Sequence, residues 1–304
     1  MKWLNPGIAE LFEVTNKLST EKSSEIPTGF YLVFDGHSRS AYKTISASEF
    51  WFSYDFKLIK LWFGRGVIVP LSIKDSSGTT VLRVAPVMID NLTYLGVYNA
   101  TGNLLYTSDK TYLSALDNAW HNIEFHVKTG ENGRIDIWLD TKLFCSFRSP
   151  SAFNFGIQKV GIATWNGGDD YISAYQMSTS SFILQDTRRI GLEKFKKLTI
   201  NPDAEQNMPQ GSTTTYTLSG LSDATEFSDI TSFCAVLQAT SRDANISTGT
   251  FSLEGADVGT IDVSDSSGKA YEIAYAETNS MTGKPWTRDD IEGKTLSFKV
   301  NGAS

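Results

Sequence analysis

The sequence has few of the residues from which metal sites and disulfide frameworks are built. Its 304 residues include two cysteines and three histidines. Two cysteines are too few for a disulfide framework, and Cys145 and Cys234 both lie among apolar residues, so we expect small buried side chains. His121 and His126 are five residues apart, which in a strand points them to opposite faces. We therefore expect no zinc site.

Long apolar runs and a surplus of positive charge are also missing. The chain has 27 Lys and Arg against 34 Asp and Glu, a net charge of −7. This balance argues against binding to a phosphate backbone, so we expect no nucleic-acid partner. No apolar stretch has the length of a membrane span, and no signal-peptide pattern opens the chain. The expectation is a soluble protein without membrane insertion, made in a cytoplasm.

Motifs of catalysis are missing as well. Gly64-Arg65-Gly66 lacks the lysine ending and the following helix of a phosphate-binding loop, and no Gly-x-Ser-x-Gly elbow is present. No strand carries two carboxylates at the same-face spacing that glycoside cleavage uses. Glu124 and Asp136 are each interpreted as part of a solvated outer face. The prediction is therefore a protein without enzymatic activity.

The chain is rich in apolar residues that alternate with polar ones. The alternation is clearest from Ala119 to Phe144, where apolar residues lie on both sides of a turn that contains Gly130 and Gly133. Before the turn come Ile123, Phe125 and Val127, and after it come Ile135, Ile137 and Leu139. A period of two with an intervening glycine turn predicts an antiparallel hairpin with one buried face. A second turn follows at Asp140-Thr141-Lys142.

Similar short strands with turn residues between them continue from Gly29 to Leu184 and again from Ser212 to Val300. Because no helical period separates these strands, they predict an all-β protein of two sandwiches in series. The predicted boundaries are an N-terminal arm at 1–26, a first sandwich at 27–186, a linker at 187–212 and a C-terminal sandwich at 213–304.

The N-terminal arm has a different pattern. Asn5 can cap a helix with Pro6 at its first position, and Ile8, Leu11 and Phe12 follow at helical spacing. The pattern predicts a short amphipathic helix. Two roles stay open for it: it covers an edge of the next domain, or it binds a partner protein through Ile8, Leu11 and Phe12.

The hairpin from Ala119 to Phe144 resembles the central hairpins of the concanavalin/laminin-G-like jelly roll, although Thr141 stands where that family often has glycine. The segments Asp169–Gly191 and Thr282–Gly293 resemble tail-associated virion proteins of bacteriophages. The two resemblances imply a laminin-G-like jelly roll followed by a smaller, immunoglobulin-like antiparallel β-sandwich.

The second resemblance also implies a function, that of a virion structural protein of the tail, baseplate or fibre. Such a protein is made in the host cytoplasm and carried on the virion as a homo-oligomer, with other virion proteins as its partners. It adheres to a host-surface glycan, since many copies on one particle raise weak contacts to useful avidity. One alternative is a capsid decoration or connector protein with a purely assembly role. Another is an enzyme that cleaves polysaccharides.

One segment has the composition of a carbohydrate site. Trp165, Asn166, Asp169, Asp170 and Tyr171 combine two rings, an amide and two carboxylates around a pair of glycines. Rings and polar groups of this kind can bind a sugar, although the same residues suit a strand whose tryptophan ends in the core, followed by a polar turn. Asp169 and Asp170 could also supply oxygen ligands to calcium. No other cofactor is expected.

Overall fold

The structure of the chain is a computed structural model. It describes residues 2–16, 18–26, 28–35, 39–60, 66–90, 92–111, 118–166, 176–186, 190–191, 193, 195–201, 208–221, 229–239, 246–262 and 270–302. The chain divides into two compact units, Met1–Phe195 and Lys196–Ser304. Across the ranges just given, no helix has the length and apolar character needed to cross a membrane.

The first unit consists of two antiparallel sheets. Its described strands, numbered along the chain, are β1 (Lys2–Asn5), β2 (Val14–Asn16), β3 (Thr20–Lys22), β4 (Phe30–Asp35), β5 (Ser40–Thr44), β6 (Glu49–Lys60), β7 (Gly66–Lys74), β8 (Thr80–Ile89), β9 (Leu92–Asn99), β10 (Leu104–Thr107), β11 (Trp120–Lys128), β12 (Arg134–Leu139), β13 (Lys142–Arg148), β14 (Lys159–Asn166) and β15 (Gln176–Gln185). Sheet A has the order β13-β12-β11-β6-β15-β4-β3, with β1 also paired to β15. Sheet B has the order β10-β9-β8-β7-β14-β5-β2.

The two sheets enclose one apolar core. Alternate residues of β6 supply four rings that are fully buried, those of Phe50, Phe52, Tyr54 and Phe56. Sheet B contributes buried aliphatic side chains to the same cluster, among them Leu71, Val84 and Val97. The Tyr54 hydroxyl donates a hydrogen bond to the Pro70 carbonyl at 2.9 Å, which satisfies its polar group inside the core. The prediction of an all-β sandwich is confirmed.

The hairpin at the centre of the sequence forms as predicted. Phe125 of β11 lies opposite Ile137 of β12, and all the inward-facing partners around this pair keep the predicted alternation. Asp140 and Thr141 in the second turn both have positive φ, 47° and 70°. That backbone suits a tight hairpin turn and favours glycine at its second position. Thr141 adopts it without being glycine.

The prediction of an N-terminal helix is wrong. Residues 2–5 form β1, which pairs with β15. The segment after β1 contains a single 3-10 turn, Ala9–Leu11. Asn5 does cap the following residues, because the Gly7 and Ile8 amides donate to its Oδ1 at 2.9 and 2.7 Å. Gly7 has φ of +114°, a left-handed conformation that turns the chain away from a helix.

The assignment of Ile8, Leu11 and Phe12 to partner binding is corrected for the same reason. Ile8 and Phe12 are buried within the first unit and Leu11 is half-buried. The Phe12 ring packs edge-on against Phe182 of β15, with centroids 5.0 Å apart. Side chains buried in their own domain cannot anchor a partner, so the segment belongs to the jelly-roll unit and covers its edges.

The second unit is a smaller antiparallel β domain. Its described strands are β16 (Thr199–Asn201), β17 (Thr213–Ser219), β18 (Phe233–Ala239), β19 (Ile246–Leu253), β20 (Ala256–Asp262), β21 (Ala270–Ala276), β22 (Thr278–Asn279), β23 (Lys284–Pro285) and β24 (Thr295–Gly302). One sheet has the order β16-β17-β24-β19-β20, and β18 pairs with β21. Both contribute to a core that includes Phe233, Phe251 and Phe298. Trp286 is buried beside them and its indole N–H donates to the Ala276 carbonyl at 2.9 Å.

Candidate functional site

The predicted carbohydrate segment begins at the end of a sheet B strand. The backbones of Trp165 and Asn166 end β14 and pair with Val67 and Gly66 of β7. The side chains of these two residues, and all of Asp169, Asp170 and Tyr171, lie outside the described residues. The sugar site and the calcium site therefore stay predictions. Within the described ranges, no group of three or more His, Cys, Asp or Glu side chains is placed to hold a metal ion.

The outer face of sheet B carries a row of polar side chains that the sequence analysis did not identify. The register places Tyr98 of β9 opposite Arg83 of β8, Arg83 opposite Ser72 of β7, Ser72 opposite Gly161 of β14, and Gly161 opposite Tyr42 of β5. Directly opposed residues of neighbouring strands project from the same face of a sheet. Their inward neighbours, such as Leu71 and Val84, belong to the core, so this row faces outward.

Tyr42 and Ser72 are joined across the glycine between them. The Tyr42 hydroxyl and Ser72 Oγ are 2.8 Å apart. Gly161 lies between these two residues in the register and has no side chain, which leaves room for the phenol to cross β14. A Cβ at Gly161 would collide with the Ala41 carbonyl oxygen. Glycine is therefore required at this position both by the backbone and by the tyrosine above it.

Tyr42 is a protonated phenol in a cationic setting. Its side chain is almost fully buried, and burial raises the pKa of the phenol above its ordinary value, although the Ser72 hydrogen bond and the charge of Arg83 oppose the rise. The Lys74 ammonium lies 4.4 Å from the centroid of the Tyr42 ring, a cation–π contact. At neutral pH Tyr42 is therefore a phenol and not a phenolate, and its hydroxyl is paired with the buried Ser72.

Three cations belong to this surface. Lys74 lies two residues from Ser72 on the same strand face, and Lys159 of β14 is directly opposite Lys74. Burial and the positive charge of Lys159 lower the pKa of the Lys74 ammonium. With Arg83, these lysines make the outer face of sheet B around Tyr42 electropositive. We name Tyr42, Ser72, Lys74, Arg83, Tyr98 and Lys159 the cationic face.

The outer face of sheet A is different, and it corrects the interpretation of Glu124 and Asp136 as solvated. Glu124 is 1% exposed because the chain at 190–191 covers it. Its two carboxylate oxygens accept the amides of Ile190 and Gly191 at 2.9 and 3.1 Å. Asp136 is 7% exposed and accepts a hydrogen bond from Ser146. Both carboxylates are satisfied within the fold, so their roles there are structural.

A cleft also opens on the outer face of sheet A, with a volume of about 460 Å³. His121 Nδ1 lies 2.7 Å from Asp140 Oδ2 at its wall, and the Asn122 side-chain amide donates to Asp55 at 2.9 Å. Trp120 adds a half-buried ring. The polar groups of this cleft are thus held mainly by one another.

Comparison with solved structures places the fold among concanavalin-like jelly rolls. The chain is similar to alginate lyase Aly36B at 14% identity (TM-score 0.42), covering 61% of this chain and 98% of that one. It is similar to an endo-β-1,4-glucuronan lyase from the fungus Trichoderma reesei at 12% identity (TM-score 0.44; 61% and 95% covered). It is similar to a Bacillus licheniformis β-glucanase at 10% identity (TM-score 0.38; 62% and 98% covered). No protein-family model matches the sequence, and no curated protein matches it.

These comparisons correct one expectation. The prediction of a protein without enzymatic activity rested on the absence of catalytic motifs, yet the structures similar to this chain include two polysaccharide lyases and a glucanase. The first unit is a concanavalin-like jelly roll. At 10–14% identity the likeness shows the fold alone, so substrate and reaction are argued from the residues of this chain.

Proposed function

We propose that this protein acts on an anionic polysaccharide, which it binds on the cationic face of sheet B. The observation that carries the proposal is the group of partly exposed side chains Lys74, Arg83, Tyr98 and Lys159 on this face, which surround the buried pair of Tyr42 and Ser72. Lysine and arginine pair with carboxylate or sulfate groups of a sugar chain. Tyrosine supplies an apolar ring with a polar end to the sugar itself.

The geometry of the row suits an extended polymer. Neighbouring strands are about 4.8 Å apart, so a row that spans β9, β8, β7, β14 and β5 extends over roughly 19 Å, the length of several sugar units. Arg83 is the one charge in this row, and Lys74 and Lys159 lie beside it, each two residues along its strand from Ser72 and Gly161. The backbones of Trp165 and Asn166 end β14, one of the strands that this row crosses.

Binding to polymers of different charge tests the proposal. We expect the full chain to be retained by polygalacturonate and alginate, and to bind neutral dextran at least about tenfold more weakly at low salt. Arg83→Gln and Lys74→Gln should each weaken retention, whereas Lys196→Gln, an exposed lysine of the second unit, should not. Equal retention of the neutral and the charged polymers would refute the proposal.

Cleavage of the bound chain is the second candidate function. It requires the Tyr42 phenol, which is almost fully buried beside Ser72, to become exposed to the bound sugar. In hydrolysis the phenol would give its proton to the glycosidic oxygen as the carbon–oxygen bond breaks, water would add to the sugar carbon, and a proton of that water would return to the phenolate. Loss of product formation in Tyr42→Phe, with polymer binding retained, would support this role. Formation of unsaturated or reducing sugar ends from polyuronates by the wild-type protein is the primary measurement.

The virion assignment also remains a proposal. Adhesion of a bacteriophage tail, baseplate or fibre to a host glycan agrees with a polysaccharide-binding jelly roll, and such a particle would supply the other virion proteins and the homo-oligomer as partners. None of the three structures named above is described as a virion protein. Imaging of particles with this chain labelled would test the location.

A further inference from the structure

Three positively charged residues stand in register across neighbouring strands of sheet A. Lys128 of β11 is directly opposite Arg134 of β12, and Arg134 is directly opposite Arg148 of β13. Residues paired in this way have their Cβ atoms about 5 Å apart on one face, and like charges so placed destabilise a sheet. Such a row is therefore expected to have counter-charges near it.

The protein supplies two of these counter-charges, one of them with imperfect geometry. Lys128 Nζ lies 2.7 Å from a carboxylate oxygen of Glu49, which is the next residue in the register on β6. Arg134 Nε lies 3.1 Å from Asp136 Oδ2. The Nε–H is nonetheless buried without an accepting partner, because the short distance does not bring the N–H into line with the oxygen.

The third cation lies on an exposed position at the edge of the sheet. Arg148 ends β13, the outermost strand of sheet A, and is exposed. The three cations line one cleft of about 280 Å³, together with Glu131, Asn132, Gly133 and Pro150 from the neighbouring loops. Two arginines and a lysine thus line one open cleft, and Glu131 is the one carboxylate among the lining residues.

We propose that this cleft binds a tetrahedral oxyanion, the sulfate or phosphate group of a larger molecule. Guanidinium groups donate paired N–H bonds that match such oxygens, and the ammonium adds a point charge. The bound anion supplies a counter-charge to Arg148, which makes no ion pair with any of the described residues. The volume of the cleft exceeds that of the anion alone, which leaves room for the molecule that carries the group. This site is on sheet A and does not depend on the function proposed for sheet B.

The test uses inorganic sulfate and phosphate as probes of the full chain. We expect each to raise the unfolding midpoint of the first unit beyond what chloride or acetate does at equal ionic strength. Arg148→Gln should lower the sulfate affinity about tenfold or more, because the loss of a charge-assisted hydrogen bond has that effect. Without added anion, the same variant should be as stable as the wild type or more stable, since one like charge has left the row.

Two further variants make the result decisive. Lys142→Gln removes an exposed cation from the first residue of the same strand, outside the cleft, and should keep the full response to sulfate. Arg148→Lys keeps the positive charge but lacks the paired N–H donors, so it should keep only part of the response to sulfate. An Arg148→Gln protein that folds by circular dichroism and responds to sulfate like the wild type would overturn the proposal. A response to acetate or chloride as large as that to sulfate would overturn it too.

Discussion

The imidazole of His126 stacks on the indole of Trp51, with ring centroids 4.1 Å apart and planes within 6° of parallel. In this orientation each ring nitrogen of the histidine points to a carboxylate: Nε2 lies 2.9 Å from Glu49 and Nδ1 lies 3.2 Å from Asp136. His126 is 2% exposed, so this hydrogen-bonded group is a buried part of the outer layer of sheet A.

His126→Ala should destabilise the first unit by about 2–4 kcal/mol, since it leaves Asp136 and Glu49 close together without the ring between them. Urea unfolding measures the change. His121→Ala is the matched control: its partner Asp140 is half-exposed, so we expect a loss of about 1 kcal/mol or less. Equal losses in the two variants would contradict a special role for the buried network.

The stability of the first unit should fall in acid partly through Asp136. Burial alone would raise the pKa of Asp136, but hydrogen bonds from His126 and Ser146 and the charge of Arg134 outweigh it and lower the pKa below its ordinary value of 3.8. A depressed pKa stabilises the fold above the unfolded-state value, and the stabilisation is lost as the pH falls through the folded-state pKa. Free energies of unfolding from about pH 6 to about pH 3 measure this slope. Asp136→Asn should be less stable at neutral pH and should show a shallower decline in acid.

Thr141→Gly should stabilise the first unit by about 1 kcal/mol, because threonine is held at φ of 70° in the second turn of the central hairpin. Chemical denaturation of the two proteins gives the value. Thr141→Ala keeps a Cβ in the same strained backbone, so we expect no comparable gain. A loss of stability in the glycine variant would show that the threonine side chain contributes more than the strain costs.

Cys145 should be inert to alkylating reagents in the folded protein. It is buried, and burial together with the nearby negative charges of Asp109 and Asp136 raises the pKa of its thiol to about 12, so almost no thiolate is present at neutral pH. Cys234 is half-buried and should react first. Mass spectrometry of iodoacetamide-treated protein, before and after unfolding, separates the two. Equal labelling of both thiols in the native state would contradict the expectation.

Deletion of residues 2–22 should destabilise the jelly roll, because it removes β1, β2 and β3 and uncovers Phe182. We expect a lower unfolding midpoint and binding of a hydrophobic dye. A truncated protein as stable as the full chain would mean that these strands contribute little. The control variant Glu21→Gln changes an exposed residue of β3 and should leave the midpoint unchanged.

The sequence predicts the fold well where the pattern is local. The hairpin of β11 and β12 follows from its alternation, because the period of two fixes which residues face the core and the turn fixes the register. The N-terminal segment shows the opposite case. Ile8, Leu11 and Phe12 fit a helical spacing, but their burial depends on β15, which lies more than 160 residues away in the sequence. No local pattern carries that information.

The candidate site was missed for a related reason. Tyr42, Ser72 and Arg83 belong to three strands far apart in sequence, and only the order of sheet B brings them into one row. Their position next to core residues was the available signal, since the adjacent residues Ala41 and Leu71 point to the opposite face of the sheet. The burial of Glu124 likewise depends on a segment more than 60 residues later. From the sequence alone, a carboxylate between apolar residues of a strand is predicted to face solvent, because the distant segment that covers it cannot be identified.

The position of β15 in sheet A has a consequence for how the protein is made. This strand lies between β6 and β4 and also receives β1, so it joins the beginning and the middle of the first unit. During translation, residues 2–60 emerge long before residue 185. Until then β1 and β6 lack β15, the strand with which both of them pair. The jelly roll can close only once nearly all of its chain has left the ribosome, which leaves the aromatic strand β6 in need of protection until then.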